Sequence, residues 1–384
     1  MHMDRIHFDV VFSALEEITE NGVLRSSDRL ISVICEKIDI PRGDKETTEI
    51  LLHPHVIRAF AESSYLEQIF EGNDPTGEEE KKFLNLIGYK PPSEELIRIR
   101  RFRSIGGRYP AQDFRTEDGT YGLIDFEPFL MTRNPIDWQK EDFGAELGSM
   151  TRGEIKLLAS LMFSLFAGGP YLYFQFSDHV YDLPVDLILS VEDNLSTISL
   201  RRVKTVTQIL DRIKPPSQGW FELTHDPGGR YEFSGHEHDF DRLDKLNSAF
   251  DLSNDLALRT AFLMIKAASL WTTGGRVFSE NALADLLFGL EGCLHLVHQR
   301  FNPGANFEVQ PTFDHIDLTF PHFPGYVGIL QDAYDKRIQI VHPENRIDSS
   351  WIPNLWAEDF YDNFGLGSDL FYYALTGDIL PESP

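Results

Sequence analysis

The chain has 384 residues, of which 42% are hydrophobic and 12% aromatic, enough for two or three domains with sizeable cores. A formal net charge of -26 and a pI of about 4.8 give a surface that repels phosphate backbones, which excludes non-specific DNA binding but leaves room for a local basic groove. No stretch reaches the roughly 18 apolar residues of a membrane span, and two cysteines, Cys35 and Cys293, are too few for a disulfide framework, so a reducing, cytoplasmic setting is expected.

Residues 1–90 read as helical. Phe8–Leu15 looks like the start of a helix, where a secretory signal would carry an apolar core. Val10, Val11, Leu15 and Ile18 recur at helical spacing, as do Leu30, Ile31, Ile34 and Ile38, before Pro41-Arg42-Gly43-Asp44 interrupts. Glu49–Phe70 and Glu78–Ile87 supply further helices around the loop Gly72–Gly77.

Pro91-Pro92 opens a β-rich region over 91–239, which could form one unit with 1–90. Leu96–Arg103 alternates apolar and basic side chains, and Tyr121–Phe126 reads as another strand. The arginine row suits either phosphate or, in a chain with excess carboxylates, ion pairing. Thr151-Arg152-Gly153-Glu154 is a capping box opening an apolar helix over Ile155–Phe166. Strands are expected at Tyr171–Phe176, Val185–Val191, Ser196–Val203, Trp220–Thr224 and Arg230–Phe233. His225 and His236-Glu237-His238-Asp239 offer zinc-type side chains, but without a third anchored ligand the stretch reads as a linker.

From residue 240 to 384 the pattern predicts four helices. The first carries Leu258, Ala261, Phe262, Ile265 and Ala268; the second Leu283, Leu286, Leu287, Leu290, Leu294 and Val297. A long connection, Pro303–Pro324, leads to the third, with Val327, Leu330, Tyr334, Ile338 and Val341; a short last helix lies near Leu370–Leu375 and closes at Gly377. The predicted class is α+β, a mixed helical and β-rich N-terminal region followed by an all-α bundle.

A glutamate in the middle of the second helix, Glu291, and an Arg-x4-His at the end of the third, Arg337 and His342 in Lys336-Arg337-Ile338-Gln339-Ile340-Val341-His342-Pro343, resemble the HEPN superfamily over about Phe240–Thr376. The resemblance implies a helical domain that dimerises and brings two Arg/His elements into one cleft. In many such proteins it also implies a metal-independent endoribonuclease of a toxin or antiviral system, with Arg337 on the scissile phosphate, His342 as acid or base, and Glu291 in support. The side chains suit those roles, since imidazole titrates near neutral pH and guanidinium grips two phosphate oxygens. Other HEPN domains are non-catalytic, so the alternative is a dimerisation and ligand- or protein-binding module.

Spacing adds two constraints. On an ideal helix Arg337 and His342 lie roughly 140° apart, so they meet only if Pro343 turns His342 off the helix or a second subunit supplies the partner. Two cations at a helix C-terminus also satisfy the macrodipole, which is the purely structural reading. Glu291, His295 and His298 follow at i, i+4 and i+7; they form either a polar edge or three ligands of a metal site for which no fourth is identified. No phosphate-binding glycine loop occurs, so neither cofactor nor metal is called for.

Overall fold

A computed structural model of the chain describes residues 19–20, 23–24, 28–60, 81, 84–85, 87–104, 113–124, 127–136, 150–164, 174–189, 194–213, 240–274, 279–320, 325–341 and 357–380. The fold is α+β. Strands β1 (Thr19–Glu20) and β2 (Val23–Leu24) form a small antiparallel pair. A five-stranded sheet has the order β4-β5-β6-β3-β7, where β3 is Glu95–Ser104, β4 Phe114–Arg115, β5 Gly119–Ile124, β6 Glu127–Pro135 and β7 Phe174–Pro184. β5 and β6 are antiparallel, pairing Tyr121 with Leu130 and Gly119 with Thr132. The chain divides into two compact units whose boundaries fall within β3, β6 and β7.

The first unit comprises Met1–Ile99, Arg133–Ile136 and His179–Gln218. Helix α1 (Asp28–Lys37) follows the predicted periodicity, with Leu30, Ile31, Ile34 and Ile38 all buried, whereas α2 (Lys45–Leu51) begins ahead of the helix expected from Glu49. Asp44 caps α2 by accepting the Thr47 amide at 3.0 Å. Two predicted strands are helical instead: Val185–Ile188 is α4, and the run from Ser196 ends in α5, Leu200–Ile213; α3 is Arg152–Ser164. Val203, Val206, Ile209, Leu210 and Ile213 are buried at helical spacing, and packing of that stripe overrides the β-propensity of its valines and threonines. In the arginine row, Arg98 makes a bidentate pair with Asp182, both contacts at 2.7 Å. Trp220–Thr224, Arg230–Phe233, His225 and His236–Asp239 lie outside the described residues.

The second unit comprises Arg100–Thr132, Asp137–Asp178 and Gly219–Pro384. The capping box forms as predicted at the start of α3: the Thr151 hydroxyl accepts the Glu154 amide at 3.1 Å, and the Glu154 carboxylate accepts the Thr151 amide at 2.8 Å. That carboxylate also takes the Arg100 guanidinium, 2.7 Å from Nε, with Arg100 1% and Glu154 0% exposed. For Arg98 and Arg100 the expected carboxylate pairing therefore holds.

Six described helices follow, where four were expected: α6 (Phe240–Ala249), α7 (Asp255–Gly274), α8 (Ser279–Phe301), α9 (Val309–Thr319), α10 (Tyr326–Val341) and α11 (Ala357–Thr376). α9 occupies the segment read as a long connection. Its Pro311 sits in the first turn, where the missing amide would have had no partner, so the proline does not break the helix. α11 is far longer than the predicted Leu370–Leu375. It ends at Gly377, φ +83°, whose amide donates to the Tyr373 carbonyl at 2.8 Å.

One core runs through this unit, from Tyr121 and Leu130 through α3 to α6–α11. Phe163 of α3 meets Phe371 of α11 edge-on at 5.1 Å, Phe250 meets the same ring at 5.5 Å, and Trp271 stacks on Phe360 at 4.3 Å. α7 and α8 approach closely because Gly289 and Gly292 have no side chain. A Cβ on Gly289 would stand 2.6 Å from Met264 Cγ, and one on Gly292 would overlap Thr260. Gly367 lets α11 approach the same methionine.

Candidate functional site

The predicted stripe of α8 is buried at every position, Leu283, Leu286, Leu287, Leu290, Leu294 and Val297. That burial fixes the rotation of the helix and sets Glu291 and His295 on its flank. On α10, Leu330 and Ala333 are buried and Tyr334 is half-buried, which brings Arg337 over the α8 flank. Arg337 Nη2 and Glu291 Oε2 are 2.8 Å apart, and the two side chains are 26% and 21% exposed. The guanidinium lies 5.9 Å from the ring centroids of both Phe288 and Tyr334. Its Nε is buried without a hydrogen-bond partner among the described residues. The arginine is thus fixed by one charge-assisted contact and two aromatic faces, with donor capacity unspent.

His295 stacks flat on Phe307, 3.7 Å between centroids and 21° between planes. Burial is the main reason its imidazole sits below its ordinary range; Glu291 opposes the shift, while His298 and Arg337 add to it. His298, one turn on, is buried and points elsewhere. Thr312 gives its own proton to the Glu308 carbonyl at 2.6 Å, so His298 Nδ1, 3.0 Å from the Thr312 oxygen, is the donor there, and the buried Nε2 has no hydrogen-bond partner among the described residues.

Glu291, His295 and His298 therefore have different partners: the first is taken by Arg337, the second stacks on Phe307, and the third bonds Thr312 and meets the edge of the same ring at 5.6 Å. Among the described residues, no three His, Cys, Asp or Glu side chains are grouped to hold a metal ion. His342 lies outside the described residues. Cys35 and Cys293 are free and buried, and burial raises the Cys293 thiol well above its ordinary range.

No protein-family model, curated protein or solved structure matches the chain. No described helix is long and apolar enough to cross a membrane.

Sequence spacing pointed to Glu291 and Arg337 but not to what frames them. Phe288, three residues before Glu291, and Phe307, in the turn after α8, have no signature that separates them from core aromatics. The first unit holds another titratable cluster that spacing did not reveal. His53 Nδ1 accepts the His55 amide at 3.2 Å while Nε2 faces Asp186 at 3.5 Å, and Arg58 donates to the Tyr89 hydroxyl at 2.7 Å. Both nitrogens of His53 are engaged.

Proposed function

We propose that the helical part of the second unit is an HEPN-type module whose Arg337 and His342 cleave RNA without a metal, in a dimer that pairs two such elements. The reading rests on the Glu291–Arg337 contact at 2.8 Å: a carboxylate on α8 holds the arginine of the Arg-x4-His element in a half-exposed position. A guanidinium oriented in this way can receive the scissile phosphate, and cleavage needs a proton to leave the ribose 2′-hydroxyl and another to reach the departing oxygen. A cytoplasmic role of toxin or antiviral type belongs to the same proposal. The test is purified chain incubated with structured and unstructured RNAs in EDTA. Cleavage that vanishes in both Arg337→Ala and His342→Ala supports the reading, and a strictly monomeric chain in solution sinks the shared cleft.

A second reading has an observation of its own. Arg337 is already paired and flanked by two rings, as a latch between α8 and α10 would be. On that reading the helical unit is a dimerisation and binding module, no RNA is cut, and Arg337→Ala lowers stability alone.

A further inference from the structure

The two buried arginines of β3 grip their carboxylates in the same way. Arg98 gives Nε and Nη2 to the two oxygens of Asp182, and Arg100 gives Nε and Nη2 to the two oxygens of Glu154. Arg337 is held differently. Its Nη2 meets one oxygen of Glu291 at 2.8 Å, while Nε is buried with no hydrogen-bond partner among the described residues. The Nε/Nη2 fork that closes the other two pairs is therefore incomplete here.

Glu291 is also the more loosely held carboxylate. Glu154 caps α3 as well as pairing with Arg100, whereas Glu291 has no other ion pair or hydrogen bond among the described residues. Both partners are half-buried, so water competes for each of them and the released carboxylate can rehydrate where it stands. The guanidinium has further support, since Phe288 and Tyr334 flank it with each ring centroid at 5.9 Å.

We infer that Glu291 is an internal stand-in for the substrate phosphate: its carboxylate occupies the anion site at Arg337 at rest and is displaced by an incoming phosphodiester, which then takes the Nε/Nη2 edge. The inference rests on the part of the reading above in which Arg337 receives phosphate. The exchange replaces one singly charged oxyanion with another, so the guanidinium keeps an opposite charge throughout. A phosphodiester presents two oxygens and gains the contact at Nε that the carboxylate leaves unmade. Every phosphate that binds must first break the Glu291 contact, so the resting chain holds RNA less tightly than Arg337 by itself allows. A glutamate that only orients Arg337 has the opposite signature: its removal loosens the arginine and weakens binding.

The experiment is an anisotropy titration in EDTA with a fluorescent single-stranded oligoribonucleotide whose 2′-hydroxyls are methylated, so that it binds without being cut. Wild type, Glu291→Gln and Glu291→Asp are compared, each with and without Arg337→Ala, and circular dichroism checks folding. Glu291→Gln should tighten binding about two- to tenfold. Glu291→Asp keeps the charge but draws the carboxylate back by one methylene, and it should tighten binding in the same direction by a smaller factor. Neither gain should survive in the Arg337→Ala background. Weaker or unchanged binding in both Glu291 variants, with the loss in Arg337→Ala intact, overturns the stand-in role and leaves Arg337 as the phosphate ligand. Tightening that persists in the Arg337→Ala background is a general charge effect and overturns it too. An oligonucleotide bound neither by wild type nor by Glu291→Gln, or bound by both equally with and without Arg337, overturns the phosphate reading together with this one.

Discussion

Glu154→Gln is the sharpest test of how the second unit is held together, because one carboxylate there does two separable jobs. Its oxygen accepts the Thr151 amide at the start of α3, and it neutralises Arg100, which is 1% exposed. Glutamine keeps the shape and can still accept the Thr151 amide, since the capping box accommodates either residue. What it removes is the charge that faces the buried Arg100 guanidinium at 2.7 Å. Removing one partner of a buried pair costs about 3–5 kcal/mol, whereas losing a helix cap costs about 1 kcal/mol. Against a total stability of about 5–15 kcal/mol, the former is a large share. Urea unfolding of Glu154→Gln and Thr151→Ala, followed by circular dichroism, should rank the glutamine variant as clearly the weaker. The double variant Arg100→Met/Glu154→Leu, which removes both charges, should recover most of the loss. A Glu154→Gln chain at least as stable as Thr151→Ala would refute the idea that charge compensation, and not capping, is the larger contribution.

Two further outcomes follow from the helical core. Gly292→Ala forces a Cβ into Thr260, so α7 and α8 must separate, and a loss of about 1–3 kcal/mol should appear in the same unfolding assay. Burial pushes the Asp369 carboxyl up to about 7. The unfolded aspartate ionises near its ordinary value, so the folded chain holds the extra proton between about pH 4 and pH 7, and stability falls as pH rises through that window. Melting temperatures of wild type and Asp369→Asn should coincide at the acid end, diverge as pH rises from about 4 to about 7, and stay apart above it, with the asparagine variant the more stable. Parallel curves across the whole range would contradict this.

Elements were legible where one physical pattern dominated. The six-residue stripe of α8, the alternation of Leu96–Phe102 in β3 and the Thr151/Glu154 box each declare a geometry that packing has no reason to override. Misreadings came where local chemistry and tertiary packing disagree. Val203 and Val206 look like strand residues in a short window, and only Ile209, Leu210 and Ile213 beyond it complete the helical face. Pro311 and the neighbouring histidine suggested a loop, yet a proline in a first turn fits a helix. Most of α11 was not read as helix, and its Gly367 is there because α11 passes close to Met264, a reason invisible until the helices are placed. At the site, the sequence offered Glu291 as support for Arg337 or His342 alike, and only the placement of α8 and α10 pairs it with Arg337. The sequence alone held no trace of the stack of His295 on Phe307, which depends on how the turn after α8 folds back.

The side-chain-free contacts at Gly289, Gly292 and Gly367 have a mechanical consequence for Glu291 and Arg337. Close packing at those points resists sliding and rotation of α8 against α7 and α11, so α8 acts as a fixed rail. Beyond its buried Leu330 and Ala333, α10 meets that rail at Arg337 through the ion pair to Glu291 and the face of Phe288, a contact that can lengthen without driving atoms into one another. A ligand that drew Arg337 away from Glu291 should therefore displace the end of α10 and not α8. A pair of probes on α8 and α10 would report it, while a pair on α8 and α11 would stay silent.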